Sequence, residues 1–173
     1  MNIFFLDRSP EQSAVWMGDK HVVKMILESA QLLSTAHRIL DGEPVADKNG
    51  KLRLTLRNPE QDALLYKATH GQHPSAKWVR QSRLHYSWLF RHLAGLCGEY
   101  THRYGRTHKS QELLPALAFS PHNMPHASWS EPPSCMPDEF KVSDDPVENY
   151  RRYYREGKAA MHKWTHREPP RWI

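Results

Sequence analysis

One carboxylate lies in the most apolar stretch of the chain, where burying a charge without a partner is costly. This is Glu28, within the segment from Asp19 to about Leu40, which we predict to be a helix at the centre of the fold. Most of the helix circumference is apolar, and the main polar residues recur at spacings of three and four, so a helix places them along one face. They are His21, Lys24, Glu28, Gln31, Thr35 and Arg38.

Two interpretations of Glu28 are open. Lys24 precedes it by four residues, so the two side chains could form an ion pair, worth only a few tenths of a kcal/mol in this orientation. Alternatively, Glu28 transfers protons as a general acid or base. The imidazole of His21, one heptad earlier on the same face, favours the catalytic interpretation.

The C-terminal part of the chain alternates aromatic and basic residues. From Pro146 to Ile173, seven Lys and Arg side chains stand against three acidic ones. Cationic side chains can neutralise phosphates while exposed rings stack on bases, although each aromatic residue could equally belong to the core. We interpret the cluster as a nucleic-acid interface formed by Arg151, Arg152, Arg155, Lys158, Lys163, Trp164, Arg171 and Trp172.

The composition supports a polyanionic partner. The 173 residues carry a formal charge of +5, the isoelectric point is near 9.3 and the mean hydropathy is -0.77. This balance favours nucleic acid over a membrane, and no apolar run reaches the roughly 18 residues of a membrane span. The length suits one domain, and we expect a monomer in a reducing cytoplasm.

The cysteines and histidines do not indicate a metal or cofactor site. Cys97 and Cys135 form no CxxC motif, and the pair His70 and His73 has no acidic or cysteine partner at a convincing spacing. Glycine-rich phosphate loops, nucleophile elbows and kinase signatures are also missing. We therefore expect no metal and no cofactor.

The remaining segments predict a mainly α fold. We expect a compact single-domain helical bundle over residues 1–173, with a small β-hairpin and a long irregular C-terminal wrap. Ser9-Pro10 begins a short helix that ends near Met17, and Asn49-Gly50 suggests a type I′ turn in the hairpin. The other predicted segments are a hairpin flap at 43–57, a second long helix at 75–105 with a kink near Ser82, an irregular loop at 115–144, and a final helix and tail at 146–173.

Four short motifs occur in an order typical of one enzyme family. They are Asp19-x-His21 with Glu28 seven residues after the histidine, the helix end from Leu93 to Gly105, the loop Met136–Lys141 and the closing run Arg167–Trp172. Together they resemble the phage pyrimidine-dimer DNA glycosylases of the endonuclease V type, and the chain is also similar in style to short proteins of tailed phages.

The resemblance implies a helical enzyme that kinks duplex DNA, displaces a base and cuts the glycosidic bond with an amine nucleophile. The catalytic glutamate of the family falls on Glu28, its helix histidine on His21 and its aromatic tail on the region of Trp172. An α-amine suits such chemistry near neutral pH, because its reference pKa is about 7.7–8.0 against about 10.4 for Lys.

Two positions depart from the family pattern. In the family, a small second residue exposes its amine when the initiator Met is removed, and Asn2 stands at this position here. The candidate nucleophile is then the amine of Met1, or that of Lys24 if its side chain is desolvated. Leu27 and Gln31 stand where the family tends to carry phosphate-binding Arg. DNA contacts are then expected from Arg80, Arg83, Arg103 or the C-terminal helix.

We thus predict a base-excision DNA glycosylase with lyase activity, acting on DNA that is expected to be double-stranded in a bacterial host. One alternative is a phage enzyme that modifies DNA bases as a transferase or hydrolase on the same scaffold. Another is a non-catalytic nucleic-acid-binding or host-takeover protein.

Overall fold

A computed structural model describes all residues from 1 to 173. The longest helix, α2, is packed against two others, and the expected mainly α fold is confirmed. None of the helices combines the length and the apolar composition needed to cross a bilayer. The helices are α1 (Pro10–Trp16), α2 (Asp19–Asp41), α3 (Pro59–Leu64), α4 (Pro74–Val79), α5 (Arg83–Tyr104), α6 (Leu114–Leu117) and α7 (Pro146–Arg152), and the strands are β1 (Glu43–Ala46) and β2 (Leu52–Thr55).

The ends of the first two helices follow local sequence signals. The Ser9 hydroxyl accepts a hydrogen bond from the backbone N–H of Gln12 at the start of α1. At the C-terminal end of α2, the N–H of Gly42 donates a hydrogen bond to the carbonyl of Arg38. A Cβ at residue 42 would lie 2.3 Å from that carbonyl oxygen, so glycine is required for this close approach. The predicted central helix is therefore confirmed to within one residue.

The N-terminal residues run through the core. The side chains of Ile3, Phe4, Phe5 and Leu6 are all buried. Ser13 on α1 ties this segment down, because its hydroxyl donates to the Phe4 carbonyl and accepts from the N–H of Leu6. The first residues are consequently fixed relative to the helices rather than left free to fray.

The predicted hairpin is present, but its turn differs from the expected type I′. β1 and β2 are antiparallel, with Glu43 opposite Thr55 and Ala46 opposite Leu52. Only Gly50 in the turn has a left-handed backbone, with φ +76°, whereas a type I′ turn needs two such residues. The bond from Asp47 N–H to the Lys51 carbonyl closes a three-residue loop instead. Leu52 is 68% exposed, so the tip of the hairpin projects from the body.

The second long helix is divided at the predicted kink. α4 ends at Val79 and α5 begins at Arg83, with Ser82 in an extended conformation between them. The side chain of Ser82 binds the ring of His85 at 2.7 Å. The segment predicted as one kinked helix over 75–105 is therefore two separate helices.

The C-terminal part is less helical than predicted. α7 ends at Arg152, and the chain continues through a π-type turn at Tyr153–Gly157 and a 3-10 turn at Ala159–Met161. The predicted irregular loop at 115–144, by contrast, is shorter than expected. Its first residues belong to α6, so the loop begins only after Leu117. The last helical turn ends at Met161, and no helix follows in the tail.

Arg103 was predicted to bind DNA, and this is wrong because its side chain is completely buried. Its guanidinium group bonds to the carboxylates of Glu99 and Asp19 and to the carbonyls of Val15 and Met17. The Glu99 carboxylate also accepts hydrogen bonds from Arg167, and Asp19 accepts them from Thr165. These contacts fasten the start of α2, the end of α5 and the C-terminal tail to one another.

We predict that Arg103→Met lowers the free energy of unfolding by about 3 kcal/mol or more, because two buried carboxylates lose their shared cation. Urea unfolding followed by circular dichroism measures the change. Arg91→Met is the control: its ion pair with Glu11 is exposed, so the expected loss is below about 1 kcal/mol. A stable Arg103→Met protein with weak DNA binding would restore Arg103 as a DNA contact.

Candidate active site and DNA-facing surface

Glu28 lies near the middle of α2 and faces the N-terminal segment. Its Oε2 atom accepts a hydrogen bond of 3.0 Å from the backbone nitrogen of Asn2. Its Oε1 atom lies 3.5 Å from Nζ of Lys24, and its side chain remains 15% exposed. The carboxylate is thus largely buried, yet it is still reached by solvent at the surface of the helix.

The α-amine of Met1 belongs to the same neighbourhood. Three covalent bonds separate its nitrogen from that of residue 2, which limits their distance to less than about 4 Å. Burial lowers the pKa of His73, with smaller effects of the same sign from the Met1 amine and His70 and an opposing effect of Glu28. The structure therefore brings together the predicted Met1 and Glu28 with His73, which the sequence did not indicate as a site residue.

Lys24 is placed differently from what the nucleophile hypothesis requires. Its side chain is 66% exposed, and its contact with Glu28 is a single long ion pair along the helix. A lysine attacks well when its ammonium group is desolvated, and burial does not supply that here. Lys24 is consequently a weaker candidate than the N-terminal amine.

His21 is buried beside the C-terminal segment. Its Nδ1 atom lies 2.8 Å from the hydroxyl of Tyr154. Burial, with smaller contributions from the positive charges of Lys158, Lys24 and His162, lowers the pKa of His21 to about 4. The ring is therefore neutral at pH 7, and its Nδ1 atom is hydrogen-bonded to the tyrosine hydroxyl. His21 fixes the contact between α2 and the C-terminal segment.

Several residues predicted to bind nucleic acid have structural partners instead. Arg80 donates to the carbonyls of Gly71 and Ala76, and Arg151 bonds to Leu6 and Asp7. Arg151 also lies over the ring of Trp16, 4.8 Å from its centroid. These two guanidinium groups connect loops and termini, which limits their freedom to bind phosphate.

The tryptophans of the C-terminal tail pack inward, which contradicts their predicted role as exposed stacking groups. Trp164 donates its Nε1–H to the carbonyl of Trp16. The Trp172 ring contacts those of Trp16 and Tyr154 edge-on, at centroid distances of 5.8 and 6.1 Å. Both tryptophans are half-buried in the junction between the tail and α1.

The other predicted cations remain accessible to different degrees. Arg152 is paired with Glu156, and Arg155 donates to the carbonyl of Trp172. Arg83 and Arg171 are exposed. Lys158 is half-buried and lies over the ring of Tyr153, and Lys163 is exposed.

Four lysines lie near the N-terminal half of α2. The carbonyl of Lys163 accepts from the N–H of Asp19, which places Lys163 at the start of the helix. Lys158 is close enough to His21 to affect its pKa. Lys20 and Lys24, four residues apart, are both exposed on α2. We call Lys20, Lys24, Lys158 and Lys163 the lysine rim.

The main clefts do not coincide with Glu28. Cavities of about 670 and 420 Å³ lie at the opposite end of α2, near Asp41 and Asn58, and one of about 600 Å³ is lined by His166, Arg167 and Glu168. At Glu28, by contrast, the backbone of the chain terminus and a partly exposed carboxylate are in contact. No group of three or more His, Cys, Asp or Glu side chains is arranged to hold a metal ion.

Comparison with known proteins identifies the family. The family model for pyrimidine dimer DNA glycosylase matches residues 1–112, which is more than half of the chain. The chain belongs to this family. Membership assigns it to DNA-binding enzymes of the glycosylase class. Neither a curated protein nor a solved structure matches the chain at a significant level.

The matched segment covers Glu28 and its N-terminal neighbours, whereas Cys135, Lys158 and Lys163 lie beyond it. It includes the N-terminal residues, the whole of α2 and His73. The motifs at 136–141 and 167–172 lie beyond it, so the part of the resemblance that rests on them stays a prediction. Asn2 and Cys135, which meet next to Glu28, were both missed as site residues from the sequence. No local pattern links two residues that are so far apart in the chain.

The lowered pKa of His21 predicts a loss of stability in acid. The unfolded chain takes up a proton near the reference pKa of about 6.5, whereas the folded protein does so only near pH 4, so stability falls as the pH drops between these values. From pH 7 to pH 5, His21 should account for roughly 2 kcal/mol of the loss.

Urea unfolding of the wild type and His21→Gln at both pH values measures this contribution. The variant should lose less stability between the two pH values than the wild type, by about the same amount. His122→Gln, at an exposed histidine, is the control and should leave the pH dependence unchanged. Equal pH dependence in all three proteins would mean that His21 is protonated alike in the folded and unfolded states.

Proposed function

We propose that this protein excises damaged bases from duplex DNA and then cleaves the abasic strand, with the N-terminal α-amine as nucleophile and Glu28 as the acid/base residue. The observation that carries this proposal is the 3.0 Å hydrogen bond between the residue 2 nitrogen and the Glu28 carboxylate. A chain terminus and a helix carboxylate are thereby held together close to the protein surface.

The reaction would begin with the unprotonated amine attacking C1′ of the damaged nucleotide. The glycosidic bond breaks as the new C–N bond forms, and the departing base takes up a proton. Opening of the sugar then gives an imine, and loss of a C2′ proton allows the 3′ phosphate to leave. Glu28 can pass protons between these groups, and its negative charge stabilises the cationic imine.

Whether Met1 is kept or removed decides which residue carries the free α-amine. In a chain that keeps Met1, the residue 2 nitrogen is an amide and cannot attack, so the amine of Met1 is the nucleophile. If Met1 is removed, the nitrogen of Asn2 becomes the amine in the position where it already contacts Glu28. Intact mass of the purified protein distinguishes the two forms.

The lysine rim is our proposed contact for the phosphates that flank the damaged base. Its positive charges lie near the N-terminal half of α2, and one of them, Lys24, is paired with Glu28. The family description names pyrimidine dimers. Ultraviolet-irradiated duplex DNA is therefore the first substrate to test.

We predict that borohydride traps the wild-type protein covalently on duplex DNA containing an abasic site. Glu28→Gln should slow trapping by about 100-fold or more, in the range typical of a lost acid/base group. Lys24→Ala should still form the adduct, whereas a protein with extra residues before Met1 should not, because its amine is displaced from Glu28. Denaturing gels and peptide mapping measure the yield and locate the adduct.

Other results would redirect the assignment. Loss of the adduct in Lys24→Ala, with retention in the extended protein, would identify Lys24 as the nucleophile. DNA binding without any adduct would exclude the lyase step and favour base modification or plain binding.

Removing lysine rim charges should weaken DNA binding in a salt-dependent way. In Lys158→Ala and Lys163→Ala, the slope of log K against log salt should become shallower by about 0.9 for each lost phosphate contact. Fluorescence anisotropy with a labelled duplex measures the slope. Lys48→Ala, at the exposed tip of the hairpin, is the matched control and should leave the slope unchanged. Equal changes in all three variants would argue against a localised DNA-facing surface.

A further inference from the structure

We propose that Asn2 and Tyr150 form a clamp that positions the N-terminal amine beside Glu28. Tyr150 is thus a positioning residue, acting through the side chain of Asn2. This inference rests on the proposed function, because a fixed amine matters only if the amine reacts.

The side chain of Asn2 is bound on both its oxygen and its nitrogen. Its Oδ1 atom accepts hydrogen bonds from the N–H groups of Ile3, at 2.7 Å, and Phe4, at 3.3 Å. The same oxygen accepts from the hydroxyl of Tyr150 at 2.7 Å, and Nδ2 donates to the carbonyl of Cys135 at 2.8 Å. The side chain therefore links the terminus both to its own backbone and to two distant segments.

Tyr150 provides a rigid anchor for this arrangement. Its side chain is fully buried on α7, and its hydroxyl accepts from the N–H of Cys135 at 3.1 Å. The hydroxyl proton lies within reach of both Asn2 Oδ1 and the Pro133 carbonyl, at 2.7 and 2.9 Å. Burial raises the pKa of Tyr150 well above its usual value, so the hydroxyl keeps the proton that it donates.

The clamp addresses a specific difficulty of terminal nucleophiles. The first residues of a chain are usually mobile, and a misplacement of about 1 Å can slow a reaction about 100-fold. Here the side chain of Asn2 fixes the backbone that follows the residue 2 nitrogen, because it binds the N–H groups of the next two residues. The nitrogen itself is bound by Glu28. The amine thus starts from an ordered position, and less conformational freedom is lost at the reacting step.

Tyr86 provides a matched control for the removal of one buried hydroxyl. It is 1% exposed, its hydroxyl donates to the Leu117 carbonyl, and it also lies 2.9 Å from Nε2 of His37. Both tyrosines are therefore buried and hydrogen-bonded, Tyr86 to two partners and Tyr150 to three. Tyr86 has no contact with Asn2 or Glu28.

The test compares Tyr150→Phe, Tyr86→Phe, Asn2→Leu and the Asn2→Leu/Tyr150→Phe double variant. Leucine is not smaller than asparagine, so it should not promote removal of Met1, which intact mass checks. For each protein, the single-turnover rate of borohydride trapping on abasic duplex DNA, the Kd for that duplex and the Tm are measured.

Tyr150→Phe should trap at least about tenfold more slowly than the wild type, while its Kd changes less than about twofold. Tyr86→Phe should trap at the wild-type rate even if its Tm falls by a similar amount. The double variant should be no slower than the slower single variant, because both changes release the same clamp.

The outcomes separate the two proposals. If the wild type forms no adduct, the proposed function fails and the clamp fails with it. If the wild type forms the adduct but Tyr150→Phe traps as fast as Tyr86→Phe, or the effects of Asn2→Leu and Tyr150→Phe multiply, the clamp alone is overturned.

Discussion

The contact between the residue 2 nitrogen and Glu28 is the constraint around which the structure is arranged. It requires the first residues to lie inside the fold and the middle of the longest helix to carry an accessible carboxylate. The buried segment from Ile3 to Leu6 meets the first requirement, because its apolar side chains stabilise the terminus by leaving water. The open polar face of α2 meets the second.

The basic residues serve two distinct purposes. Arg38 and Arg103 are both completely buried. Arg38 binds one carboxylate and Arg103 binds two, and each also binds several backbone carbonyls. The planar guanidinium group is suited to such multiple bonding, whereas a lysine holds its charge on a flexible stem. In this protein the best-connected arginines hold the fold together, and lysines supply much of the charge around the candidate site.

Local sequence signals predicted the features that depend on neighbouring residues. The bounds of α2, the Ser9-Pro10 start of α1, the hairpin and the break at Ser82 all follow from periodicity, capping and turn preferences. The location of Arg103 could not be predicted, because its burial depends on Asp19, 84 residues away. The tail tryptophans present the same difficulty, since an aromatic residue between cations suits either a core or a stacking surface. For the site, the sequence indicated Glu28 and the N-terminal amine, but not the contacts of Asn2, which span 133 and 148 residues.

The separation between Asn2 and Tyr150 also has a consequence for the order of synthesis. A ribosome makes the terminal amine and α2 first, but the hydroxyl that Asn2 contacts emerges only after most of the chain has been translated. Thr165 and Arg167, which bind the carboxylates near the start of α2 and in α5, follow later still. A nascent or prematurely terminated chain therefore contains the terminal amine and Glu28 without the contacts that fix them. Ordering of the terminus is coupled to completion of the polypeptide.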